Sequence, residues 1–203
     1  PNYRQREGSS LIYMVDELIN ESKHEKSGFY LNDYEGLSET ITELERKKQK
    51  TILIGVSYAL LDLAKNFPQI LEYTIIIETG GTKGKRKEFL KEELHKILKN
   101  SFSLQYIHSE YGMTELLSQS YSRGKGIFKS PPWKKVLIRD TNAPLSLIGE
   151  NKTGGINIID LANIYSCPFI ASQDLGRTFD DGSFSVLGRF SNADIRGCNL
   201  LVQ

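Results

Sequence analysis

The sequence predicts an α/β fold: a parallel sheet with flanking helices, followed by a smaller β-rich, barrel-like subdomain. Three observations carry this. Apolar strand runs alternate with helical periodicity through the first half of the chain. The second half trades that alternation for short strands set between Gly, Pro, Asn and Asp. A Gly/Lys/Ser/Pro stretch at 124–130 lies between the two, giving one subdomain over 1–126 and another over 127–203.

The elements follow in order. "SSLIYMVDELINES" places Leu11, Met14, Val15, Leu18 and Ile19 on one helical face. Residues 37–48 repeat apolar side chains at Leu37, Ile41 and Leu44, again with helical spacing. "TILIGV" (51–56) is a short buried-strand run, and Ser57 is the expected N-cap of the helix "YALLDLAKNF", which Pro68 stops. "YTIIIETGG" (73–81) is a β-branched strand that runs into two glycines. Residues 85–99 form a charged helix with Phe89, Leu90, Leu94, Ile97 and Leu98 inward. Leu104 to Ile107 reads as the next strand. After "SPPWKKVLIRD" come "GGINIIDLAN", "CPFIASQDLG" and "GSFSVLGRF", whose punctuation predicts an antiparallel barrel or sandwich.

Composition excludes several classes. The 203 residues suffice for one good core or two small lobes. Lys plus Arg (26) nearly cancels Asp plus Glu (25), so nothing points to nucleic acid or an anionic membrane. The longest apolar run, "ILIGVSYALL", ends at Asp62 and is too short to span a bilayer. Cys167 and Cys198 form no metal pattern and no disulfide framework, which predicts a reducing cytoplasm. No signal peptide is readable, and a chain that begins at Pro1 reads as the product of cleavage or truncation.

The chemistry concentrates at two turns. In open α/β sheets ligands sit beyond the carboxyl ends of the strands. "ETGG" follows one predicted strand and "YGMTE" (111–115) follows another. Gly80 and Gly81 let backbone approach a flat ring, on which Tyr111 can stack. Thr114 offers a hydroxyl to a phosphate oxygen and Glu115 a carboxylate to a divalent cation. That set suits a nucleotide with Mg²⁺. On spacing alone, a plain hydrophilic turn with a packed tyrosine is the favoured reading.

"YGMTE" resembles the Tyr-Gly-x-Thr-Glu signature of the adenylate-forming (AMP-binding) synthetase superfamily. "TGG" stands upstream in the place of that family's adenine-contacting glycine turn. "QDLG" (173–176) resembles the segment whose Asp binds the ribose hydroxyls, and "LGRFSNADIRGCNLL" (187–201) the Gly-Arg hinge segment. In "YGMTE", "PPW…LIRD", Tyr-Ser-x-Pro (165–168) and "GCNLL", the chain is most similar to the acyl-protein synthetases of bacterial bioluminescence. Phenylacetate–CoA ligases resemble it too, across "GRFSNADIRGCN".

The resemblance implies an adenylation fold, ATP and Mg²⁺ as cofactors, and a carboxylic acid substrate, with a fatty acid foremost. The acid becomes an acyl-adenylate and its acyl group passes to a thiol. It implies an acyl-donor or acyl-reductase protein as partner. By residue, it puts Glu78, Gly80 and Gly81 along the adenine, Tyr111 and Gly112 at its stacking face, Thr114 at the α-phosphate and Glu115 near Mg²⁺. Asp174 would bind ribose, Arg189 ribose or phosphate at the hinge, and Cys198 would receive the acyl group. Each has a plainer alternative: Asp174 as a turn residue, Arg189 as a surface partner, Cys198 as a small apolar residue with Cys167 the buried one. A non-catalytic nucleotide-binding or scaffold module would carry the same motifs.

Some patterns mislead. "TGGTKGKRK" (79–87) looks like a phosphate loop but lies too near the tyrosine turn to be the family's own, and the Walker pattern fails at every register. The resemblance therefore makes the chain the C-terminal portion of a synthetase, with the phosphate loop upstream. Lys83, Lys85, Arg86 and Lys87 read as a solvated helix start. His24 and His95 read as surface residues, His108 as structural and Trp133 as a packing anchor.

Overall fold

The computed structural model describes residues 9–79 and 91–190. The chain divides into two compact units at Thr114/Glu115.

The first unit opens with α1 (Ser10–Ser22), capped by Ser9, whose side chain accepts the Ile12 amide hydrogen. Its apolar stripe is half-buried at Leu11, Met14, Val15 and Ile19, and Leu18 is exposed. α2 (Tyr34–Arg46) starts earlier than the apolar repeat suggests, because Asp33 accepts from the Gly36 amide and fixes the N-terminus there. Near the end of α2, the Glu45 carboxylate accepts from the backbone of Glu72 and Tyr73 and from the Thr74 hydroxyl at 2.6 Å. This ties the helix to the first residue of the second strand.

β1 (Thr51–Val56), α3 (Ser57–Asn66), β2 (Thr74–Thr79), α4 (Lys91–Phe102) and β3 (His108–Tyr111) follow. β2 pairs in parallel with β1 through Leu53↔Ile76 and with β3 through Ile77↔His108. Parallel neighbours need a crossover, which α3 and α4 supply. Leu60, Leu63, Ile76, Leu94, Leu98, Phe102 and Ile107 form the shared core with Ile41 of α2.

Two expectations are corrected here. Ser57 does not cap α3. It is the first helical residue, the cap position is Val56, and no side chain bonds there. The third strand is not Leu104–Ile107 but His108–Tyr111. α4 runs on to Phe102, Ser103 turns left-handed (φ 53°), and the Leu104 amide donates back to Lys99 O at 3.1 Å. That helix ending consumes Ser103 and Leu104. Ile107 is buried in the core, and sheet pairing begins one residue later.

Among the described residues of the second unit, the regular structure is β apart from a short 3₁₀ turn at Leu161–Asn163. It contains β4 (Ser120–Ser122), β5 (Ile127–Lys129), β6 (Lys134–Arg139), β7 (Leu147–Ile148), β8 (Gly154–Asp160), β9 (Phe169–Thr178) and β10 (Phe184–Arg189). β structure thus begins at Ser120, before residue 127. Within this unit the order is β4-β5-β10-β9-β8-β6-β7, and all neighbours in it pair antiparallel. Val136, Ile138, Ile156 and Ile158 are buried on one face, with the period of two that strands require. Phe128 and Phe184 stack with ring centroids 5.5 Å apart. No described helix is long and apolar enough to cross a membrane.

Candidate functional site

In the first unit, β2 and β3 are parallel neighbours, so their carboxyl ends at Thr79 and Tyr111 lie side by side. The Thr79 hydroxyl donates to the Glu110 carboxylate at 2.5 Å and ties the two ends together. Tyr111 is the last residue of β3 and is half-buried, as are Gly112 and Met113. Thr114 and Glu115 are exposed immediately beyond it, and Thr114 Oγ1 lies 3.4 Å from Ser10 Oγ. An aromatic held at a strand end, then a solvent-facing hydroxyl and carboxylate, is an arrangement that can meet a polar ligand. Gly80 and Gly81 lie outside the described residues.

Glu78 is 4% exposed and sits in a polar network. Its Oε1 is 2.8 Å from Lys91 Nζ and 3.6 Å from His95 Nε2, and it accepts from Ser109 Oγ at 3.0 Å. Oε2 accepts from Ser57 Oγ at 3.4 Å. Burial pushes the carboxyl pKa up. Hydrogen bonding from His95, the charge and hydrogen bond of Lys91, and the Ser109 hydroxyl outweigh burial and hold it below the ordinary value. His95 is therefore not a surface residue, as the sequence suggests: its side chain is 12% exposed and faces Glu78. The missed signal is the spacing of Lys91 and His95, four apart on one helix face.

In the second unit, Asp174 and Arg189 come together. They are ladder partners across β9 and β10, and Arg189 Nε donates to Asp174 Oδ1 at 3.0 Å. Asp174 is buried in the middle of β9 rather than in a turn. Gly176, two residues on, is required by close approach: a Cβ there would stand 2.3 Å from Ser185 O.

Arg139 is the residue that sequence reasoning missed. β8 and β9 lose register between Gly155↔Leu175 and Asn157↔Ala171, so Ser172, Gln173 and Asp174 stand against Ile156 alone. Such a bulge breaks the ladder and leaves carbonyls to be satisfied. The Arg139 guanidinium donates to Ile156 O at 2.9 Å, to Asn157 Oδ1 at 2.8 Å and to Ser172 O at 2.6 Å. The Ser172 hydroxyl donates to Ile156 O and accepts from the Asp174 amide. Gly155 leaves the room, since a Cβ there would meet Arg139 Cζ at 2.5 Å. Arg139 Cζ also lies 5.6 Å from the Phe190 ring centroid. Burial pulls its pKa below the ordinary value.

The cysteines separate differently from expectation. Cys167 is exposed, not buried, because β9 begins only at Phe169 and Cys167 belongs to the turn before it. Cys198 lies outside the described residues. Trp133 is half-exposed, and its Nε1 donates to Ser118 Oγ at 2.9 Å.

Solved structures share the fold of much of this chain. ATP-bound MatB from Rhodopseudomonas palustris matches with a TM-score of 0.56 and 16% identity, over 75% of this chain and 33% of that one. The luciferase-like enzyme of the nonluminescent mealworm Zophobas morio matches with a TM-score of 0.54 and 17% identity, over 78% of this chain and 41% of that one. The o-succinylbenzoate CoA synthetase MenE from Bacillus subtilis matches with a TM-score of 0.56 and 20% identity, over 77% and 34%. The fold is that of the matched part of these enzymes. No family model and no curated protein matches by sequence. The chain spans about a third of the length of the first structures that it matches.

Proposed function

We propose that this chain serves the ATP-dependent activation of a carboxylic acid, a fatty acid foremost, in the cytoplasm, and the transfer of the acyl group to a protein cysteine. The observation that carries this reading is the placement of Tyr-Gly-Met-Thr-Glu. It leaves the carboxyl end of a parallel strand, where α/β sheets take ligands, in a fold that adenylate-forming enzymes have.

In this reading a carboxylate oxygen attacks the α-phosphorus of ATP. The bond to the bridging oxygen breaks, and pyrophosphate leaves with the electron pair. A thiolate then attacks the acyl carbon, a thioester forms, and AMP departs. Tyr111 stacks on adenine with Gly112 and, in the segment outside the described residues, Gly80 and Gly81 beside it. Thr114 donates to the α-phosphate. Asp174 accepts from ribose hydroxyls, Arg189 holds its carboxylate in place, and Glu78 supports the strand end that faces the base. Cys198 accepts the acyl group.

Among the described residues no three His, Cys, Asp or Glu side chains gather to hold a metal. Mg²⁺ uses one or two carboxylates together with substrate phosphates, so the single exposed carboxylate of Glu115 fits it. When bound, the ion neutralises phosphate charge in the transfer. The match to a CoA synthetase supports a second acceptor, the coenzyme A thiol. Incubating the protein with ATP, Mg²⁺ and a series of fatty acids tests the reading through pyrophosphate release. Acid-dependent release supports it. Nucleotide binding without release points to a non-catalytic module, and the absence of both overturns it.

A further inference from the structure

We propose that Asp160 and Asn163 are positioning residues for Glu115, a role that rests on the metal reading given to Glu115 above. Glu115 is exposed, and its side chain shows no described bond that fixes its direction, but the backbone that carries it is held from one side. Asn163, at the end of the 3₁₀ turn, donates its Nδ2 hydrogen to Glu115 O at 2.6 Å. Its Oδ1 accepts from the Ser166 hydroxyl at 3.2 Å. The carbonyl of Glu115 can only accept, so the amide of Asn163 has one productive orientation.

Three residues on, Ser118 is gripped on every polar atom. Its amide donates to Asp160 Oδ2 at 2.9 Å and its hydroxyl to Asp160 Oδ1 at 2.7 Å. That hydroxyl also accepts from Trp133 Nε1, and its carbonyl accepts from Lys134 Nζ at 2.9 Å. Asp160 is fully buried and Lys134 is 4% exposed. Asp160 Oδ1 further accepts the Ala162 amide, which shapes the turn that presents Asn163. A single carboxylate therefore fixes both ends of the device, the turn that gives and the segment that receives. Buried charged groups bonded in this way hold one geometry. A lone carboxylate that shares a cation with phosphates needs its backbone set in advance, and this clamp supplies that.

The test compares wild type with Asn163→Ala and Asn163→Asp. Asn163→Ala keeps Asp160 and with it the core of the unit, so it isolates the clamp from folding. Thermal unfolding establishes that each variant folds. Hydrogen exchange then reads the Ser118 and Leu116–Leu117 amides, and titration of Mg²⁺ at fixed ATP reads metal-linked nucleotide binding. The clamp predicts amide exchange at 116–118 faster by about tenfold in Asn163→Ala, with protection in β6 and β8 unchanged. It predicts a rise of about tenfold in the Mg²⁺ needed for half-maximal ATP binding, with metal-free AMP affinity unmoved. A wild type that shows Mg²⁺-linked binding and variants that match it would overturn the positioning role alone. A wild type whose ATP binding ignores Mg²⁺ would overturn the metal reading of Glu115 and the clamp's purpose with it.

Discussion

Arg189 Nε donates to Asp174 Oδ1 at 3.0 Å, and the two residues are direct partners across β9 and β10. The carboxylate is buried and the guanidinium half-exposed, so the pair is anchored from the protein side. Asp174→Ala removes the acceptor proposed for ribose. Two charge-assisted hydrogen bonds of about 1.5–3 kcal/mol each would be lost, about 3–6 kcal/mol together, so AMP affinity falls by at least about a hundredfold. Arg189→Ala lowers it less, because Asp174 stays. Isothermal titration of AMP into both variants reads this, and equal affinities in wild type and Asp174→Ala would remove the ribose assignment.

Thr114→Val and Glu115→Gln are expected to reduce acyl-adenylate formation more than AMP binding. Their partners in the proposed reading are phosphate and metal, which matter most when charge moves between phosphates. Comparing initial rates of pyrophosphate release with AMP affinity in each variant decides the point. A parallel loss of both quantities would instead mark these residues as general binding groups.

Glu78 makes a pH prediction. Its folded pKa is depressed, so its stabilising contribution is fully present above the ordinary Glu value of 4.5 and is lost as pH falls through the lower folded value. Glu78→Gln should therefore destabilise the protein at neutral pH by about 1.5–3 kcal/mol, the range for hydrogen bonds to a charged group. The gap to wild type should narrow as pH falls below 4.5 and close once pH is below the depressed folded value. Urea unfolding of both proteins from neutral pH downward measures it. A gap that does not change with pH would show that the carboxylate's charge is not what holds β2 and α4.

Arg139→Ala leaves the carbonyls of Ile156 and Ser172 without the guanidinium. The expected cost is about 1–3 kcal/mol in unfolding free energy, with lost order at Asp174. Arg139→Lys should recover only part of it, since an ammonium cannot bridge two strands as a planar fork does. Full recovery by lysine would reduce the role of Arg139 to charge alone.

Cys198 is tested by label. After incubation with ATP and labelled fatty acid, neutral hydroxylamine should release label from wild type and from Cys167→Ser, but find none on Cys198→Ser. Equal labelling of Cys198→Ser and wild type would shift the acceptor to a free thiol such as coenzyme A.

The sequence makes the repeating parts legible. Period and punctuation suffice for α3, β1, β2 and the β character of "GGINIID", because burial on one face writes itself into the spacing of apolar residues. The parallel neighbours β2 and β3 also follow from strand–helix–strand order. What spacing cannot show is where a long-range bond overrides local pattern. The αL residue Ser103 ends α4 late and moves the next strand from Leu104 to His108. His95 reads as a surface residue and Arg139 carries no signal in the spacing, yet one faces Glu78 from α4 and the other fills a ladder gap that only the β8–β9 register creates. Asp174 and Tyr111 were legible as motif residues. Ser118, Asp160 and Asn163 were not, because their meaning lies in one another.

In the proposed reaction a carboxylate oxygen attacks the α-phosphorus of ATP. A fatty acid carrying heavy oxygen in its carboxylate, supplied with ATP, Mg²⁺ and a thiol acceptor, tests it through the mass of the AMP formed. Attack on phosphorus leaves one carboxylate oxygen in the phosphate of AMP, so the predicted product is AMP heavier by a single label. AMP without label, or labelled inorganic phosphate released beside ADP, would contradict attack at the α-phosphorus.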